Sequence, residues 1–331
     1  MVIAMKIIVD AFGGDNAPLE IIKGCAEAVQ EFGVDILLSG REAEIRDVAA
    51  KNSISLEHME IENCDEVLTM HDPAESVVKA KKNSSMGVGF RLLNEGRGDA
   101  FISAGNSGAL CVGATLAVKR IKGIKRPAFA PVIPTATGCA MLIDGGANVD
   151  CRPEMLRQFA VMGSVYMERV MKINNPRVGL ANVGTEDHKG NELYRETHAI
   201  LKDSKLNFVG NVEGRDIPAG ACDVIVCDGF TGNMILKTYE GVASVLFGEI
   251  KNIFAGSAKG KVAAALLMKD LKAMKTRFDY NAVGGAPILG SSKPVFKAHG
   301  DAKARTIKNA IGLCKDYVAA KAIDEISTSL K

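Results

Sequence analysis

Short β-branched apolar runs alternate with helix-length segments along most of this chain, and that alternation restricts the fold more than any other feature. The runs are 6–10 (KIIVD), 35–39 (DILLS), 99–103 (DAFIS), 139–144 (CAMLID), 177–183 (RVGLANV), 206–212 (LNFVGNV) and 222–228 (CDVIVCD). Helical segments are expected near 18–32, 41–52, 73–95, 106–120, 153–171 and 190–204. Strands that are apolar throughout must be buried on both faces, which calls for a largely parallel sheet with helices on each side. The expectation is a doubly wound α/β unit spanning residues 1–331, with no repeat, low-complexity stretch or long linker.

Several strands run into Gly- or Asn-rich turns that open a helix. They are Asp10-Ala11-Phe12-Gly13-Gly14-Asp15, Ser103 to Gly108, Asn182-Val183-Gly184-Thr185-Glu186, and Asp228 to Asn233. Ligands of open α/β sheets sit beyond the carboxyl ends of the strands, so all four turns are expected at one sheet edge. Unpaired N–H groups at a helix start favour anions, and glycine lets an anion approach the backbone. Gly105-Asn106-Ser107-Gly108 and Gly229 to Asn233 have this form. Neither matches a dinucleotide or P-loop fingerprint, so the pattern favours a small anion over a nucleotide. A turn of this kind is also an ordinary strand-to-helix connection, and the spacing alone does not choose. Lys189, in Thr185-Glu186-Asp187-His188-Lys189, reads first as the solvated surface charge usual for a lysine beside acids on a loop, and functionally as a cation that holds phosphate or stabilises developing negative charge. His188 and His299 are lone histidines with a structural reading at least as natural as a catalytic one. There is no G-x-S-x-G elbow, no H-E-x-x-H and no Cys/His set with zinc spacing, so no metal is expected.

The formal net charge is +2, which gives no global attraction for nucleic acid. Eight cysteines include no C-x-x-C pair, and Cys111, Cys222 and Cys227 lie in apolar runs, the pattern of buried thiols in a reducing compartment. No signal peptide and no bilayer-length apolar run is visible, so a soluble cytoplasmic protein is expected.

Segment 241–278 breaks the alternation. Val242, Val245, Leu246, Ile250, Ile253 and Phe254, then Ala263, Leu267, Leu271, Met274 and Phe278, follow helical spacing around a turn at 255–260. This reads as an inserted amphipathic helical hairpin. Its second arm carries Lys259, Lys261, Lys269, Lys272, Lys275 and Arg277 against the single acid Asp270. Such a surface suits a membrane or an acidic partner, and it also suits a dimer-packing hairpin with solvated lysines.

The runs DAFGGD (10–15), KKNSSM (81–86), ISAGNSGAL (102–110), RIKGIKRPA (120–128), GANVDCRPE (146–154), NVGTEDHKGNE (182–192), GNVEGRD (210–216), CDGFTGN (227–233) and KAHG (297–300) closely resemble the PlsX family of acyl-acyl-carrier-protein:phosphate acyltransferases. The resemblance extends from about residue 5 to about residue 320. Phe12 stands where the family usually has Met, and residues 1–4 precede its usual start at Met5.

The resemblance implies a fold like that of isopropylmalate dehydrogenases and phosphotransacetylases. It implies reversible transfer of a fatty acyl group from acyl carrier protein to inorganic phosphate, giving an acyl-phosphate for phospholipid synthesis. No metal or organic cofactor is implied. The implied partners are acyl carrier protein, a second copy in a homodimer, the cytoplasmic membrane surface, and the membrane acyl-phosphate:glycerol-3-phosphate acyltransferase. It points to Lys189 and Asn233 as the central pair. Asp10, Gly13, Gly14, Asp15, Gly105, Asn106, Ser107, Gly108, Thr185 and Gly232 would complete a phosphate cradle. Lys259, Lys261, Val262, Leu266, Leu267, Lys269 and Lys272 would meet membrane or carrier protein. Rival readings are a coenzyme A-dependent acyltransferase of phosphotransacetylase type, a decarboxylating dehydrogenase, and a scaffold that only docks carrier protein.

Overall fold

The computed structural model describes residues 5–277 and 284–330. The upstream extension 1–4 and Phe278 lie outside the described residues, as do the side chains of Lys275 and Arg277.

Among the described residues twelve strands divide between two sheets. The first contains β1 (Lys6–Asp10), β2 (Asp35–Gly40), β3 (Met59–Asn63), β4 (Ala100–Ser103) and β5 (Ala128–Phe129). The second contains β6 (Val132–Thr135), β7 (Gly138–Ile143), β8 (Val178–Asn182), β9 (Phe208–Glu213) and β10 (Val224–Val226). The chain returns to the first sheet with β11 (Gly285–Leu289) and β12 (Val295–Ala298). The first sheet has the order β3-β2-β1-β4-β12-β11-β5 and the second β6-β7-β10-β8-β9. Pairing is parallel except at β12–β11, β11–β5 and β6–β7. Every run read as a strand from the sequence is a strand, and the largely parallel α/β expectation holds. The four glycine turns do not share one sheet edge, however. Those after β1 and β4 belong to the first sheet, and those after β8 and β10 to the second. Ala130 and Pro131 carry the chain across between β5 and β6, two strands too short to have registered as periodic runs.

Among the described residues there are eleven α-helices: α1 (Leu19–Phe32), α2 (Glu42–Lys51), α3 (Ser85–Asn94), α4 (Ser107–Leu116), α5 (Pro153–Arg169), α6 (Glu192–Lys202), α7 (Gly229–Ala255), α8 (Ala258–Leu266), α9 (Met268–Arg277), α10 (Ala304–Ala319) and α11 (Ala322–Ser329). Both faces of each sheet are buried. One apolar layer joins Ile7, Val9, Ile36 and Leu38 of the first sheet to Ile143, Leu180, Val224 and Val226 of the second, through Phe159 and Tyr166 of α5 and Ile307 and Ile311 of α10. The outer faces carry separate cores, one around Phe90, Phe101 and Leu110, the other around Leu142, Ile225, Cys227 and Leu236.

Segment 73–95 is not one helix. A short 3-10 turn over Ala74–Val78 is followed by α3, which starts afresh because the Ser84 hydroxyl accepts the Gly87 N–H at 3.3 Å. The hairpin also differs in layout. Its first arm is the outer part of α7, which runs unbroken for 27 residues from the β10 turn, and its second arm is divided into α8 and α9 at Leu267. Among the described residues no helix is long and apolar enough to cross a membrane.

Candidate active site

Where the two sheets meet, a cavity of about 680 Å³ opens. The first sheet contributes Ser107, Gly108 and Cys111 of α4 and Lys297, His299 and Gly300 from the end of β12. The second contributes Val132 and Ile133, the loop Gly145–Asn148 after β7, and Asn233, Leu236, Lys237 and Glu240 of α7. Most of the wall is apolar, and polar groups gather at helix starts and strand ends.

The α4 end is built by mutual support among turns. Asn106 caps the helix by accepting the Ala109 N–H at 3.1 Å, and its amide donates to the carbonyls of Asp72 at 3.2 Å and Met70 at 3.3 Å. Asp10 is buried, and its carboxylate accepts the Ser103 hydroxyl at 2.6 Å and the Phe12 N–H at 3.1 Å. Burial pushes this carboxyl above its ordinary value while those hydrogen bonds oppose the rise. Its oxygens tie the β1 turn to the β4 turn, so Asp10 supports the cradle from behind. Gly13 permits that closeness, since a Cβ there would sit 2.7 Å from both the Gly105 nitrogen and the Ser103 hydroxyl. Gly14, at φ +96°, lies against the Gly300 carbonyl, which also accepts the Asp15 N–H at 2.8 Å. Gly13, Gly14 and Asp15 do not line the cavity themselves.

At the second corner Asp228 caps α7. Its carboxylate accepts the Thr231 N–H at 2.9 Å, the Thr231 hydroxyl at 3.0 Å and the Tyr194 hydroxyl at 2.5 Å. The start of α7 therefore already has an anion, whereas the start of α4 has a neutral cap. Gly232 packs against the Asp144 carbonyl with no room for a side chain. Asn233 follows, on the cavity wall, and its amide donates to the Gly145 carbonyl at 3.3 Å. Asp144 shapes this wall by accepting the N–H groups of Phe129, Gly146, Ala147 and Asn148 at 2.7–3.1 Å.

Of the residues singled out from the sequence, the cavity brings together Ser107, Gly108 and Asn233, with Gly105, Asn106 and Gly232 immediately behind. Thr185 and Lys189 do not line it. They belong to the β8–α6 loop, where the Lys189 ammonium lies 3.8 Å from Glu186 and Asn182 donates to the Lys189 carbonyl at 3.2 Å. Lys259, Lys261, Val262, Leu266, Leu267, Lys269 and Lys272 are all exposed on α8, α9 and the link between them. Cys222 and Cys227 are buried thiols as expected. Cys111 is half-buried on the cavity wall, and burial pushes its thiol up to about 12.

Sequence reasoning missed Lys297, Arg126 and a cavity position for His299. Lys297 is 8% exposed within the otherwise apolar strand β12, and burial pushes its ammonium down to about 8. A lysine embedded in a strand-length apolar run that ends in glycine was the available signal. His299 lies at the rim with Asp301 at 2.6 Å and Glu240 at 3.9 Å. Among the described residues no three His, Cys, Asp or Glu side chains are grouped to hold a metal ion.

A cavity that joins a helix start to apolar walls can seat an anion beside a hydrocarbon chain. Comparisons with known proteins give this geometry a family. The model of the family described as "Fatty acid synthesis protein" matches residues 5–324. The phosphate acyltransferase of Acetivibrio thermocellus is 48% identical over 323 residues, covering 97% of this chain and 95% of the relative. That of Caldanaerobacter subterraneus subsp. tengcongensis is 47% identical over 328 residues, covering 99% and 98%. Among solved structures, a phosphotransacetylase from Streptococcus pyogenes superposes with a TM-score of 0.62 at 19% identity, covering 98% of this chain and 95% of that one. That likeness fixes the fold, and the extended identity to the two relatives fixes the lineage: the chain belongs to the PlsX family of fatty acid synthesis proteins.

Proposed function

We propose that this protein transfers a fatty acyl group from the thioester of acyl carrier protein to inorganic phosphate, releasing an acyl-phosphate for phospholipid synthesis. The observation that carries this reading is the inter-sheet cavity, where the open start of α4 and the Asn233 amide face apolar walls. Phosphate is itself the nucleophile. One of its oxygens attacks the thioester carbonyl carbon and a tetrahedral oxyanion forms. The carbon–sulfur bond then breaks, and the thiolate leaves and takes up a proton from water. The chain's task is to hold two substrates in register and stabilise the added charge. Asn233 donates to the phosphate or the carbonyl oxygen. Lys189 serves as the phosphate or oxyanion cation when the β8–α6 loop presents it to the cavity, and Lys189→Ala tests that role. No metal or organic cofactor enters this scheme.

The exposed lysines Lys259, Lys261, Lys269 and Lys272 suit acidic carrier protein and an anionic membrane surface. Val262, Leu266 and Leu267 suit shallow entry into lipid, with Leu266 80% exposed. The reading includes a homodimer that associates peripherally with the cytoplasmic membrane. There it hands its product to the membrane acyl-phosphate:glycerol-3-phosphate acyltransferase.

The decisive experiment is mass spectrometry of products from the purified protein, palmitoyl-carrier protein and phosphate. Palmitoyl-phosphate and phosphate-dependent release of carrier thiol are expected. A trapped acyl-protein adduct, or thiol release indifferent to phosphate, would overturn the scheme. Faster transfer from palmitoyl-coenzyme A than from the carrier would replace the donor and keep the phosphate chemistry.

A further inference from the structure

Lys297 has no part in the scheme above, yet its surroundings are those of a binding group. β12 lies beside β4 in parallel register, with Lys297 opposite Ser103, so the lysine stands next to the turn that opens α4. Its ammonium donates to the Ala104 carbonyl at 3.0 Å and to the Ala298 carbonyl. An ammonium has three N–H donors, and two are thereby used. The residue lines the cavity, and among the described residues no carboxylate lies within ion-pairing distance of it. The carboxylates of Asp10 and Asp15 act on it only from beyond ion-pair distance, so this buried cation has no direct ionic partner, and its own hydrogen bonds to carbonyls do not neutralise it.

The same cavity wall holds Ser107 and Gly108, the first residues of α4. Among the described residues their N–H groups meet no acceptor, because the Asn106 side chain is engaged with Ala109. Helix starts and lysines are complementary to the same ligand, a tetrahedral oxyanion. α7 differs, because the Asp228 carboxylate already occupies its start.

We propose that the Lys297 ammonium and the first N–H groups of α4 form the seat of the acceptor phosphate, a role that rests on the phosphate acyltransfer reading. The lysine supplies the charge, and the helix start supplies direction. Burial pushes Lys297 down to about 8, which still leaves it charged at neutral pH, and a bound anion would hold the proton more firmly. Phosphate chemistry could also arrive as the phosphodiester of the carrier's pantetheine arm, and the two sources separate kinetically.

The test is Lys297→Met, with inorganic phosphate titrated by calorimetry into the variant and the unmodified protein, and with KM measured for phosphate and for palmitoyl-carrier protein. The phosphate Kd and KM are expected to rise at least about tenfold, the loss of a charge-assisted hydrogen bond, with the carrier KM unchanged. Equal phosphate affinity in the folded variant overturns the proposal. So does a change confined to the carrier KM, or an unmodified protein that binds no phosphate. If Met is not accommodated, Lys297→Gln, which retains an amide donor without the charge, is read in the same way. An unmodified protein that binds phosphate through Lys297 but moves no acyl group would sink the acyltransfer reading and leave the seat standing.

Discussion

Asn233 and Lys297 face one cavity from opposite sheets, and they predict different losses. Asn233 offers a neutral donor where charge develops, so Asn233→Ala is expected to lower turnover about 10²–10³-fold with little change in stability; steady-state assay beside a urea melt checks this. Lys297 carries a linkage signature as well. Its folded value of about 8 lies below the ordinary 10.5, so the unfolded chain binds the proton more tightly than the folded one. The resulting destabilisation is full below about 8 and is relieved as pH rises from there towards the ordinary lysine value. Urea melts should therefore find the unmodified protein gaining on Lys297→Met as pH rises from about 8 towards about 10.5, and a constant difference would contradict the depressed titration. At this scale legibility was uneven. Ser107, Gly108 and Asn233 announce themselves because glycine-rich turns before apolar helices have a local chemistry. Lys297 does not, because burial of a lysine is decided by strands far away in sequence. Lys189 shows the reverse case: its neighbours in sequence suggest a phosphate loop, while the fold places that loop off the cavity wall.

Helix α7 concentrates the element-scale consequences. Its entry depends on Gly232 lying against the Asp144 carbonyl, so Gly232→Ala must push the helix start away from the Gly145–Asn148 loop. A cost of about 1–3 kcal/mol is expected by chemical denaturation, with activity falling further because Asn233 moves too. The far end makes a separate prediction. Leu266→Glu with Leu267→Glu should abolish flotation with anionic liposomes, with the KM for palmitoyl-carrier protein in solution reading any carrier contact separately, and unchanged flotation would remove the lipid role. Long periodic elements were readable from sequence, as α1, α5 and α6 attest within a residue or two. The 73–95 segment was misread because the Ser84 cap restarts the helix there. The hairpin's true origin was hidden because nothing in the sequence marks a break, or the lack of one, between the β10 turn and Val242.

Across the whole molecule, two sheets share an inner apolar layer and meet at one cavity, an arrangement that sequence periodicity could not distinguish from a single sheet. The strands that decide it, β5 and β6, are pinned by pairing with distant partners. Beyond the cavity α7 exposes Val242, Val245, Leu246 and Ile253, the face that suits a second copy. If that face joins two copies, the unmodified protein is expected to be a dimer by light scattering and Val245→Asp with Ile253→Asp a monomer, and a variant that stays dimeric would assign that face elsewhere. The unbroken run of α7 has one more effect. A helix of 27 residues measures about 40 Å from its first turn to its last, and adding one residue beyond Glu240 would rotate everything outward by about 100°. The helix is thus a ruler and a compass at once: its length sets how far the outer lysines stand from the Asn233 corner of the cavity, and its phase sets which way they point.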